Sequence, residues 1–226
     1  MERPRLFSAA KFLLILFFVT SWIFSGWPRV FDFPPSIQKT QAAAAIPTFV
    51  GCGAYNSPTN QNAITPALPA GIVTDDILLM FLETANEAIT VANASGGTWT
   101  EVADSPEGTG TAAGLSATRL TVFWSRYNGT QTAPVTSDSG DHQDGIICAW
   151  HGVTNTGNPW DVTSGGVEAT SDTSWSITGD TTTVANTLVV IAGARMDDSA
   201  ATHFSAQTNA DLANIAERAD GGATGG

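Results

Sequence analysis

The stretch SGDHQDGIICAWHGV, Ser139 to Val153, gathers Asp141, His142, Asp144 and His151 within fifteen residues. Imidazoles and carboxylates are the usual ligands of zinc and the usual general acids and bases. Metal or proton chemistry is therefore sought here first. Strand alternation argues against it. If DGIICAWHGV is extended, His142, Asp144, Ile146, Cys148 and Trp150 share one face and His151 takes the other. At about 3.3 Å per residue the two histidines stand about 30 Å apart. IICAW contains no turn residue that would fold them together. Asp141, His142 and Asp144 alone lack the spacing of a calcium loop or a zinc motif. The reading is no metal site, but a solvated turn, GDHQ, leading into a buried strand. In that turn Asp141 or Ser139 hydrogen-bonds its own backbone.

Other chemistry is weaker still. GTGTAAG, Gly108 to Gly114, has the glycines of a phosphate loop without the lysine of a P-loop or the spacing of a dinucleotide fingerprint. No serine sits in a G-x-S-x-G elbow. Among the acids no pair is singled out for glycoside hydrolysis. The sequence thus implies no cofactor and no catalytic residue, and the chain reads as a non-enzyme. Trp99, Trp124, Trp150, Trp160 and Trp175, with Tyr127, could stack on sugar rings. Most of them lie in apolar strands and are expected in the core. Trp160, in GNPWD, falls in a predicted loop and is the one candidate ligand-binding aromatic.

The elements that must position these residues are all β from Ile46 onward. IPTFVGCGAY opens the series, and TDDILLMFLETA is an apolar run suited to a strand covered on both sides. EAITVANA follows. SGGTWTEVA holds a turn at Gly96–Gly97, and Asp104–Gly114 reads as a loop. ATRLTVFWSRY is the clearest strand, with Asn128–Gly129 after it as a hairpin signal and TAPVTSDS as its partner. GIICAWHGV, TSWSITG and NTLVVIAGA complete the series; Asn209–Ala219 allows one or two helical turns. Seven or eight short strands about ten residues apart predict an antiparallel, jelly-roll-like β-sandwich spanning 46–226.

Residues 1–45 are different in kind. Arg3, Arg5 and Lys11 precede sixteen mostly apolar positions, Phe12 to Trp27. This is long for a signal h-region and short for a span, which needs roughly 20. Two readings stand: a cleaved signal ending near Ala42–Ala45, or a single anchor followed by a Pro-rich stalk. Either engages the membrane or export machinery and delivers the rest of the chain to the cell surface or beyond. That remainder carries four arginines, no lysine and 19 acids, a net of −15. Such a surface repels phosphate backbones and excludes nucleic acid as a partner. In an oxidising compartment Cys52 and Cys148, the only cysteines, stand either as a disulfide or as separate apolar residues.

Several of these motifs carry a resemblance. PALPAGIVTDDILLMFLETANEAI, GGTWTEV, RLTVFWSRYNGT, SDSGDHQDGIICAWHGV, GNPWDVT and TTTVANTLVV occur in that order. Together they resemble a β-sandwich family of bacteriophage structural proteins and bacterial surface or environmental proteins. The likeness runs from about Phe49 to the last residue. It implies an extracellular or virion-surface module, carries over no catalytic residue, and makes the GDHQ turn a structural feature. The leader favours a cell-surface or prophage-derived member. Similar proteins continue past ERADGGATGG to a further strand, so the glycine-rich end is expected to be a linker and the domain to be truncated at its C-terminus. The expectation is an exported non-enzymatic surface module, adhesive or structural. The alternatives are a secreted carbohydrate-binding or carbohydrate-active protein meeting extracellular glycans, and a phage tail or capsid decoration protein.

Overall fold

A burial pattern that alternates along two long strands and is nearly continuous along a third organises the molecule. The computed structural model describes residues 45–58, 63–93, 95–140, 142–168, 170, 173–196 and 204–221. The leader lies outside these residues, as do Asp141 and residues 222–226 of the glycine-rich end. All the described residues fall within one compact unit, Ala43–Gly226. In chain order the strands are β1 (Thr48–Cys52), β2 (Ala63–Ile64), β3 (Ile77–Thr84), β4 (Thr90–Ala92), β5 (Thr100–Glu101), β6 (Glu107–Thr109), β7 (Thr118–Arg126), β8 (Val135–Ser137) and β9 (Gln143–His151). No helix occurs among the described residues.

The strands form two antiparallel sheets. The larger runs β1-β9-β3-β7-β5, with β6 also pairing with β7; the smaller runs β2-β8-β4. The described part of the chain is therefore all-β, as the short apolar runs separated by turn signals predict. In β3, Leu78, Met80, Leu82 and Thr84 are wholly buried, while Leu79, Phe81 and Glu83 on the other face are half-buried. The first set packs with Phe123 of β7, Ile147 and Ala149 of β9, and Ile64 of β2, so the core lies between the sheets. Gly145 of β9 permits this closeness. A Cβ there would stand 2.5 Å from Leu82 Cδ2 and 3.0 Å from Ile64 Cδ1.

The opposite face of the large sheet is a second apolar layer. Its cross-strand rows include Leu79 between Trp124 and Cys148, and Phe81 between Val122 and Ile146. Segments after β9 contribute to it: Trp160 packs edge-on to Trp124 at 5.5 Å, and the Arg218 guanidinium lies 4.7 Å over the Phe49 ring. Cys52 and Cys148 are opposite each other on β1 and β9 and form a disulfide, closing a separation of 96 residues.

Four sequence expectations are corrected. Asn128–Gly129 does not join a hairpin, because β8 lies in the small sheet. Gly129 has a φ of +86°, and Asn128 Oδ1 accepts from the Thr130 and Gln131 amides. Those bonds close a side-chain turn that redirects the chain from one sheet to the other. Within Asp104–Gly114, expected as a loop, β6 forms because β7 extends past β5 and offers it an edge. TSWSITG and NTLVVIAGA are not strands in their described residues, although they have β-type sequences. The long strands β3, β7 and β9 already have partners on both sides, which leaves no long backbone edge of theirs to pair with. Leu188 to Ile191 are accordingly exposed. The helical turns allowed in Asn209–Ala219 are absent, and the segment is irregular.

Candidate functional site

The second face turns polar at one end. Antiparallel pairing sets Glu83 of β3 directly opposite Asp144 of β9. Side chains so placed project to the same side with Cβ atoms about 5 Å apart, and like charges there repel. The ring of His142, just before β9, relieves this. Its Nε2 lies 2.8 Å from Glu83 Oε2 and 3.6 Å from Asp144 Oδ2. Thr118, at the start of β7, donates to Glu83 Oε1 at 2.7 Å. One ligand atom from each of Glu83, His142 and Asp144 lies within 4.8 Å of the others, the one such group among the described residues.

Burial sharpens the electrostatics. Asp144 is only 6% exposed, and its Oδ1 is buried without a hydrogen-bond partner. Desolvation raises its carboxyl above the ordinary value and Glu83 adds to the rise, while Ser57, the His142 ring and Tyr55 draw it back. Tyr55, in the segment after β1, has its phenol pushed far above the usual range. Burial is the main cause, followed by the charge of Asp144, a hydrogen bond to that carboxylate, and the charges of Glu83 and Asp220. This corner therefore combines an imidazole, two carboxylates and three hydroxyls in a partly dry setting.

His151 closes the other end of β9. Its Nδ1 is hydrogen-bonded to Asp76 Oδ1, and Asp76 Oδ2 accepts from the Val73 amide at 2.8 Å. The two histidines thus engage different acids, from opposite ends of one strand. Trp160 is not a free loop aromatic. It is half-buried, with its ring against Trp124.

Sequence reasoning found His142 and Asp144 but missed Glu83, Tyr55, Ser57 and Thr118. Alternation alone would have put Glu83 on the face of Leu79 and Phe81, a carboxylate at the end of an apolar strand. The register of β3 with β9, which makes it Asp144's neighbour, has no local signal.

Fold and corner together define a two-sheet, all-β protein with a histidine-centred acidic cluster on its outer layer. No family model, curated protein or solved structure matches the chain.

Proposed function

We propose that this chain is an exported, non-enzymatic surface or structural module, a jelly-roll-like β-sandwich used for adhesion or as an appendage. The Cys52–Cys148 bond carries this reading. Both cysteines of the sequence are consumed by it. Disulfides persist in oxidising compartments and are rare where thiols are kept reduced. The bond ties the edge strand β1 to its neighbour β9, which suits a domain that must stay folded outside the cell. The leader sequence supports the same destination, as does the lysine-free, acidic composition of 46–226, which favours solubility. The resemblance to phage structural and bacterial surface proteins adds the class of module.

Full-length chain produced in a bacterial host tests the reading. Cells are treated with protease, then lysed in a thiol-alkylating reagent, and the protein is weighed by mass spectrometry. The reading expects a chain digested on intact cells or in spheroplasts, with Cys52 and Cys148 protected from alkylation. A protease-resistant cytosolic chain with both thiols alkylated would overturn it.

A further inference from the structure

We infer that Glu83, His142 and Asp144 form a binding site for one first-row divalent cation, with Zn²⁺ the best match. The donor set is one imidazole nitrogen and two carboxylate oxygens. That combination suits zinc and its neighbours, whereas calcium and magnesium prefer oxygen alone. Three protein ligands with a remaining open position are a common zinc arrangement. The three donor atoms already lie within 4.8 Å of one another. A cation with bonds of about 2.1 Å would draw them together by small side-chain rotations.

Two observations make this more than a group of acids. Asp144 is 6% exposed, turns Oδ2 toward His142 and keeps Oδ1 buried with no partner of its own, while the Ser57 and Tyr55 hydroxyls act on the carboxylate as a whole. A buried carboxylate oxygen in that state costs free energy that a cation would recover. The second is the orientation of Glu83. Thr118 holds its Oε1 at 2.7 Å, leaving Oε2 to face His142 Nε2. Outer hydroxyls that fix a ligating carboxylate in this way are typical of metal sites. Glu83 is on β3, Asp144 on β9 and Thr118 on β7, which are paired strands, and His142 immediately precedes β9. The absence of any metal motif in the sequence follows, because 59 residues separate Glu83 from His142.

The test uses the full chain in mild detergent, stripped with chelator and dialysed. Zn²⁺, Ca²⁺ and Mg²⁺ are titrated separately by calorimetry. One Zn²⁺ per chain is expected at micromolar or tighter affinity, with at least tenfold weaker Ca²⁺ and Mg²⁺ binding. Glu83→Gln and His142→Ala should each weaken Zn²⁺ binding at least tenfold, and His151→Ala should leave it unchanged. Imidazole nitrogen resonances of the unsubstituted chain give a readout independent of variant folding. Zn²⁺ should shift the His142 signal and not that of His151. Failure of Zn²⁺ to saturate one site, an unmoved His142 signal, or equal Ca²⁺ affinity would each overturn the inference.

Discussion

Glu83 and Asp144 face each other across β3 and β9, and the His142 ring reaches both, at 2.8 Å and 3.6 Å. A pair of carboxylates in direct cross-strand register opposes folding unless something positive lies between them. The pair therefore makes stability depend on protonation, with a sign that can be worked out.

Burial raises the Asp144 carboxyl above its ordinary value of 3.8 in the folded state. Between 3.8 and that raised value the folded chain binds the proton more tightly than the unfolded chain. Stability contributed by this group is therefore greatest at low pH and declines as pH rises through the window. Asp138, raised by burial as well, acts in the same direction. In metal-free protein, Asp144→Asn should flatten this decline and be more stable than the parent at neutral pH. Urea unfolding at pH 4, 5, 6 and 7 measures it. An unchanged slope would show that the Asp144 charge is not the source.

Gly145 sits beside Asp144 and faces the other sheet. Its Cβ would meet Leu82 and Ile64, and Pro66 Cγ at 3.2 Å. Overpacking of a core typically costs about 1–3 kcal/mol. Gly145→Ala should lose about that much in denaturant titration. A companion Leu82→Val change, which trims the nearest obstacle, should recover part of it.

Removing the disulfide by Cys52→Ser with Cys148→Ser frees an unfolded chain otherwise closed over 96 residues. Loop-closure entropy for that length predicts a loss of about 4–5 kcal/mol. That is a large share of a typical domain's stability of about 5–15 kcal/mol. Guanidinium unfolding of the double variant should show a midpoint far below that of the oxidised parent. Reduction of the parent should give a matching drop.

Trp160→Ala removes the edge-on partner of Trp124. Both rings are half-buried, so the expected loss is about 1–3 kcal/mol, below that for a fully buried tryptophan. The emission of Trp124 should move to longer wavelength as its ring meets water. Unchanged stability with unchanged emission would mean that Trp160 is not part of the second apolar layer.

Local chemistry made much of this protein legible. The short apolar runs DILLMFLET, TRLTVFWSR and QDGIICAWH, bounded by polar and turn residues, read as strands. The faces of His142 and His151 follow from strand parity. Pairing is another matter. Whether Asn128–Gly129 leads back along β7 or across to β8 depends on which backbone edge is vacant. The same holds for TLVVIAGA, a strand by composition that the described sheets leave unpaired. Edges are supplied by residues far away in the chain, and neither propensity nor periodicity encodes them. The cluster shows this most directly. His142 and Asp144 are two residues apart and visible on reading, whereas Glu83 comes from 59 residues before His142. Only the register of β3 against β9, decided by how the two sheets bury Leu78, Met80 and Leu82 together, brings the second carboxylate to the imidazole.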